Sequence, residues 1–441
     1  MSFSLLGTLG TTDAFTDVFS DRSVLAAMLQ FEVALARAEA LVGVIPTDAV
    51  DAIAAAADSD AFDSVSIAAG ARASGTIAIG FVEALTMRVR ALDARSAGYV
   101  HWGATSQDVT DTAMVLCLGQ ARSLLERHHG KLLKALRKLS DDHAGSVMLG
   151  RTLLQPAPPV TFGLKAAGWH AACARGWRRV VTAFDDALVL QFGGASGTLA
   201  ALGDRGLDVA AQLGRELGLP VPDAPWHAHR DRVAALLAAC AVYVGTVGKI
   251  ATDIALLMQA EVGEAAEPGG GSSTMPQKQN PAGCAIALAA ATRVPGLLAS
   301  FLAGMSQEHE RGVGGGHAEG PTIATLVQAT GAAIAALQTV AEDLRVDSAR
   351  MRANIVATGG TVFAERAMML LARSVGRDTA HTLVREAASE AAGTGRRFAD
   401  VLGAMPHAAQ ALTAAERSTL DDPDEYLGVA ERLRRQLLGD P

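Results

Sequence analysis

Residues 269–281 read Gly-Gly-Gly-Ser-Ser-Thr-Met-Pro-Gln-Lys-Gln-Asn-Pro, and no other stretch of the chain carries as much chemistry. Two adjacent hydroxyls, Ser272 and Ser273, precede a cation, Lys278, and an amide, Asn280, before Pro281 stops the segment. Glycines let such a loop move, and long Ala-rich apolar segments flank it. A mobile loop of this kind can close over a substrate and deliver a hydroxyl as a base. A free serine hydroxyl is a very weak base, so one serine of the pair needs Lys278 and loop N–H groups to stabilise its alkoxide. Asn280 either holds the loop shape or binds a substrate carboxylate. Glycines and serines alone would fit a plain linker; the order of Met275, Pro276, Lys278 and Asn280 does not.

A second segment, His101-Trp102-Gly103-Ala104-Thr105-Ser106-Gln107-Asp108, gathers an imidazole, two hydroxyls, an amide and a carboxylate around a glycine, just before a long helix. Backbone N–H groups at a helix start, with Thr105 and Ser106 beside them, suit a substrate carboxylate. Taken alone, the same residues also fit a capping segment with a structurally bonded histidine. A third segment is Gly150-Arg151-Thr152-Leu153-Leu154-Gln155-Pro156.

The 271–281 loop resembles the signature loop of the fumarase/aspartase superfamily of lyases. The wording of 101–108 is similar to one subgroup, the adenylosuccinate lyases and bacterial 3-carboxy-cis,cis-muconate cycloisomerases, and the third segment resembles a superfamily stretch that usually reads Gly-Arg-Thr-His-x-Gln. Phe19–Arg22, Phe31-Glu32, Gly193–Leu199, Trp226–Arg232 and Gln307–Arg311 extend the likeness to the cycloisomerases almost end to end. The resemblance implies an all-α, three-domain lyase with divisions at 1–107, 108–355 and 356–441. Its central long-helix bundle would assemble into a homotetramer, with active sites built from three chains. It makes Ser272 the proton-transfer candidate over its competitor Ser273, with Lys278, Asn280 and His101 as catalytic partners. It places Thr105, Ser106, Thr152, Gln155, Ser273, Met275 and Arg311 around a small di- or tricarboxylate substrate.

The departures from the pattern are chemical. Where most of the superfamily has a proton-donating histidine and its glutamate, this chain has Leu153 and Ala285, so both halves of that dyad are missing. An amine leaving group needs a proton as its bond breaks, whereas a carboxylate, with a pKa of roughly 4, departs as a stable anion. A lactone-forming or lactone-opening enzyme can therefore omit the acid. It still needs a group to move the α-carbon proton and one to stabilise the enolate-like intermediate. An elimination lyase with another good leaving group, of the nitrosuccinate or succinyl-adduct kind, fits the acid-free site as well. Leu153, Gly316 and Gly320 stand where the cycloisomerase pattern has tryptophans, and Gln277 and Gln279 where it has His and Arg. The expected pocket is wider, less aromatic and less cationic.

Composition agrees with a helical enzyme. Of 441 residues, 50% are hydrophobic and only 4% aromatic, and Ala and Leu carry the apolar content, which favours helix. A net charge of -8 argues against a nucleic-acid or anionic-membrane partner. Lys249, Arg293 and Pro295 interrupt or close the most apolar runs, so no membrane span is expected. The four separated cysteines read as buried free thiols in a cytoplasmic protein. His227-x-His229 lacks further ligands and Gly269–Gly271 lacks a phosphate-loop ending, so neither metal nor cofactor is expected. Capping and periodicity predict helices from Ser20/Asp21 to about Gly43, from Thr47, and over 77–92, 108–142, 161–190, 205–217, 230–264 and 322–343. Loops are expected over 58–75 and 312–320, and no strand of useful length.

Overall fold

The computed structural model describes residues 5–271, 274–275 and 277–440. Helices dominate, and the longest are Ser106–Asp142, Phe162–Ala187, Asp231–Leu257, Ala282–Ala303 and Gly315–Asp343. The chain divides into two compact units, each assembled from three separated stretches.

The first unit comprises 1–130, 175–248 and 286–336. Its Asp21–Val42 helix begins where Ser20 accepts the Ser23 N–H and ends at Gly43, whose φ of 81° gives the left-handed stop that glycine tolerates. Thr76 caps Ile77–Leu92 in the same way. Phe15, Met28, Phe31, Phe81 and Leu85 are completely buried here. The 58–75 stretch departs from the expected loop: Asp63 accepts the N–H groups of Val65 and Ser66 and starts a helix at Ser64–Ser74. The expected break at 312–320 is also shorter than read, because helix begins at Gly315 and runs through Gly320 and Pro321. The first of these helices has its Asp63 cap and the second continues into the long apolar helix to Asp343, against the low intrinsic propensity of Gly and Ser.

The second unit comprises 131–174, 249–285 and 337–441. It holds an element absent from the sequence reading, an antiparallel hairpin of Val147–Thr152 with Gln155–Thr161. The second strand carries Pro156, Pro158 and Pro159, which donate no ladder hydrogen bonds and masked it. Val147 and Leu149 pack in a cluster with Ile355, Val362 and Phe363. A separate cluster built on Leu371, Phe398 and Leu402 forms the core of the C-terminal helices.

Asp231–Leu257, Ala282–Ala303 and Gly315–Asp343 are long and apolar enough to cross a membrane by length and composition alone. This is more than the interrupted runs in the sequence suggested. Burial separates them: 56% and 67% of the most apolar windows of the first and third are buried, against 22% for Ala282–Ala303.

Candidate active site

The residues singled out from sequence fall in both units. In the first unit, the 101–108 segment is fixed by one carboxylate. Asp108 is completely buried and receives the N–H groups of Thr105 (3.0 Å), Gly193 (3.0 Å) and Gly194 (2.9 Å), and the Nε2 of His227 at 2.7 Å. It thereby ties the start of the Ser106–Asp142 helix to the glycine loop at 193–197. Arg311 joins the same place: its Nη2 donates to Thr105 Oγ1 (2.8 Å) and to the carbonyls of Gly194 (3.3 Å) and Ala195 (2.8 Å). His101 sits at φ 59°, a left-handed conformation that is uncommon outside glycine. Its Nδ1 lies 2.6 Å from Glu32 Oε1. Burial opposes charge on this imidazole, but Glu32, by charge and hydrogen bond, and Asp108 outweigh it and raise the His101 pKa above its ordinary value.

Ser106 and Arg311 line a cavity of about 540 Å³, within the range typical of small-molecule sites. Apolar side chains such as Met28, Ile77 and Met114 form much of its wall, and Gly316 and Gly320 form another part. One side is ionic. Arg230 makes two hydrogen bonds to Asp111 (2.8 and 2.9 Å) and two to Glu319 Oε2 (2.8 and 2.6 Å). Gln307 Nε2 donates to Glu319 Oε1 at 2.7 Å. Burial raises the Glu319 pKa even though Arg230 pulls it down. With Arg230 so committed, Arg311 is the lining arginine outside this ionic cluster.

In the second unit, Thr152 and Gln155 face each other across the hairpin turn, both exposed. Between them Leu153 (φ 50°) and Leu154 (φ 64°) make a two-residue turn with both residues left-handed, and they are 96% and 75% exposed. Arg151 anchors the hairpin through two hydrogen bonds, 2.9 and 2.6 Å, to the fully buried carboxylate of Glu264, which also accepts from Asn354 (2.7 Å). The base of the signature loop is closed by a bridge between Gly271 and Gln279 and by the Asn280 N–H donating to the Gly270 carbonyl at 2.7 Å. A Cβ at Gly270 would land on the Asn280 carbonyl oxygen, so this close approach requires glycine. Glu267 then caps the following helix, accepting from Gly283 (2.7 Å) and Cys284 (3.1 Å). Lys278 and Met275 are exposed on the loop. Ser272 and Ser273 lie outside the described residues.

Among the described residues no group of three or more His, Cys, Asp or Glu side chains could hold a metal ion. The sequence reading assigned no role to Glu32, Asp111, Arg230, Glu264, Glu267 or Glu319. A signal did exist for Glu32: with Met28, Leu35 and Glu39 it falls on the three- to four-residue apolar spacing of its helix, so a carboxylate occupies a core position.

Residues 7–296, more than half of the chain, match the family described as Lyase, and residues 360–436 match the family described as Adenylosuccinate lyase C-terminus. The chain belongs to the lyase family. Among its relatives is a 3-carboxy-cis,cis-muconate cycloisomerase of Bradyrhizobium diazoefficiens, 45% identical over 98% of this chain and 97% of that protein. The nitrosuccinate lyase of Streptomyces davaonensis is 39% identical over 96% of this chain and 91% of that protein. The crystal structure of the 3-carboxy-cis,cis-muconate lactonizing enzyme from Pseudomonas putida superposes with a TM-score of 0.94 at 42% identity, covering 99% of this chain and 98% of that one. The lyase fold, with its few strands among long helices, is therefore all-α as expected.

Proposed function

We propose that this lyase-family chain is a 3-carboxy-cis,cis-muconate cycloisomerase-like enzyme. It would interconvert a carboxymuconate and its lactone by moving the α-carbon proton while a carboxylate adds or leaves. The observation that carries this reading is the near full-length likeness to a cycloisomerase, in a chain with Leu153 and Ala285 where an amine-expelling relative would need an acid and its partner. Ser272 moves the proton, with Ser273 as its competitor. Lys278 stabilises the alkoxide or the enolate-like intermediate, and Asn280 holds the loop. His101 is a further catalytic partner that meets the substrate, and Thr105, Ser106, Thr152, Gln155, Met275 and Arg311 bind the substrate's carboxylates and frame. The reading needs no cofactor or metal, and includes a cytoplasmic homotetramer with the three-domain division near 107 and 355.

The little-buried Ala282–Ala303 helix supports assembly, because an apolar surface of that length calls for a cover. Light scattering should report a tetramer; an active monomer would defeat the shared-site arrangement. Ser272→Ala should lower turnover by at least about 10², with little change in binding. Near-normal activity there, with loss in Ser273→Ala, would move the role to the neighbouring serine.

The likeness to a nitrosuccinate lyase favours a second reading, elimination of another weakly basic leaving group from a succinate skeleton. Side-by-side assays of 3-carboxymuconate, its lactone, nitrosuccinate and adenylosuccinate separate the two. Turnover of the muconate is expected and adenylosuccinate should fail, since a missing acid costs about 10² to 10⁴ in rate for an amine. Efficient adenylosuccinate cleavage would overturn the argument from Leu153; nitrosuccinate turnover alone would select the second reading.

A further inference from the structure

Glu32 is a carboxylate in an improbable place. It lies in the middle of the Asp21–Val42 helix with its side chain 1% exposed. An ionised carboxylate is costly to bury without compensation. Its compensation is the 2.6 Å contact to His101 Nδ1. Among the described residues no backbone N–H shares the load, unlike at Asp108. The histidine side is equally particular: the left-handed φ of 59° fixes the backbone under the ring, and 15% of the side chain remains exposed. With Nδ1–H directed at Glu32, Nε2 is the nitrogen left to meet a ligand. The segment that carries His101 continues directly into Thr105, which Arg311 holds, and Ser106, which lines the cavity.

We propose that Glu32 is a positioning residue: it grips His101 through Nδ1 so that Nε2 is presented as a charged donor to a carboxylate of the substrate. The proposal rests on the small polycarboxylate reading given above. The charged groups acting on His101 are Glu32 from the Asp21–Val42 helix and Asp108 from the start of the Ser106–Asp142 helix. Asp108 is already engaged by four donors, so Glu32 supplies the pair's specific hydrogen bond. A charge-assisted donor binds a carboxylate roughly twice as strongly as a neutral one, and it is lost when the ring deprotonates.

The test is Glu32→Gln, which keeps shape and an acceptor oxygen but removes the charge, with Glu32→Asp as the conservative rescue. The first readout is independent of turnover: the pH at which His101 becomes reactive to diethyl pyrocarbonate, mapped by mass spectrometry in the full-length enzyme. This midpoint should fall by about one pH unit or more in Glu32→Gln and return most of the way in Glu32→Asp, one unit being a tenfold change in the protonation ratio. The second readout is kinetic. KM for 3-carboxymuconate at pH 7.5 should rise about tenfold in Glu32→Gln, with kcat changed little. Glu32→Gln/His101→Asn should be no worse than His101→Asn alone, because Glu32 acts only through the ring. An unmoved His101 midpoint overturns the proposal whatever the substrate is. A moved midpoint with an unchanged KM, or additive losses in the double variant, overturns the binding role. If the parent enzyme does not turn over carboxymuconate, the functional reading falls, and the modification midpoint still decides whether Glu32 governs His101.

Discussion

Two histidine–carboxylate pairs bracket the same eight-residue segment, and they are built on different principles. His227–Asp108 is closed: side-chain exposure is 4% and 0%, and the carboxylate is saturated by three backbone N–H groups besides the imidazole. His101–Glu32 is open: one hydrogen bond joins it, the backbone beneath the ring is left-handed, and part of the imidazole is accessible. Saturation holds three chain segments in register. Each imidazole spends one nitrogen on its carboxylate, and the greater exposure of His101, 15% against 4%, is what leaves its second nitrogen accessible. An imidazole and a carboxylate at nearly the same separation thus serve architecture in one place and, on our proposal, ligand binding in the other. Counting bonds to the carboxylate tells them apart, and the length of the His–carboxylate contact does not.

The largest effect should come from breaking the closed pair. Asp108→Ala strands the N–H groups of Thr105, Gly193 and Gly194 and the His227 ring in a buried site. Losing one partner of such a buried network costs about 3–5 kcal/mol. Chemical denaturation should register a loss of that size, and activity should fall with the fold. Glu32→Gln should lower stability by less, on the order of 1–2 kcal/mol, since the glutamine keeps an acceptor for the His101 ring and only the charge interaction is lost. Equal losses in the two variants would erase the distinction between the pairs.

A third carboxylate sharpens the comparison in the opposite direction. Glu39 lies seven residues after Glu32 on the same helix, completely buried, with neither side-chain oxygen hydrogen-bonded. Burial, and then repulsion from Glu32, push its pKa up to about 9. The folded protein therefore holds a proton that the unfolded chain releases above the ordinary carboxylate range. Stability is eroded as pH rises from that range toward about 9. By linkage this is on the order of 3 kcal/mol at pH 7. Glu39→Met should stabilise the protein, more at pH 8 than at pH 5, in thermal or denaturant melts at both values. The His101 pair has the same sign over a different window, a contribution that fades with rising pH where Glu39 is a penalty that grows. With its pKa raised, its contribution is complete below the ordinary imidazole value and disappears as pH rises through the higher folded value. A flat Glu39→Met difference between pH 5 and 8 would place a partner or water on that carboxyl.

Legibility in the sequence follows the range of the interaction. Ser20 and Gly43 announced helix ends because capping is local. The segments 101–108, 150–156 and 269–281 were readable because each packs its chemistry into about a dozen residues or fewer. The hairpin was not, because three prolines occupy one strand and two leucines sit where a turn of this kind favours Asn-Gly. Glu32, Arg230 and Glu264 were missed for another reason. Their roles depend on partners 69 to 119 positions away, and no local pattern encodes such distances. The cavity behind Ser106 is likewise set by tertiary placement, although Gly316 and Gly320 were read in advance as places where the pocket lacks bulk.

A stabilising effect is expected at the hairpin tip, where strain, as at His101, is held without a saturating network. Left-handed backbone costs a residue with a side chain about 1–2 kcal/mol, and Leu153 and Leu154 both adopt it while standing exposed. Replacing them together by Asn and Gly suits a turn in which both central residues have positive φ. If the leucines contribute nothing to the fold, the double replacement should raise stability by up to roughly 2–4 kcal/mol, 1–2 for each residue, seen as a higher thermal midpoint. If they serve the substrate site, as the position of Leu153 in the proposed mechanism requires, kcat/KM should fall while the midpoint rises. That split would put the tip with His101, as strain kept for function. A lower midpoint would mean instead that contacts in the assembly hold the leucines, and the resemblance to the open histidine pair would end there.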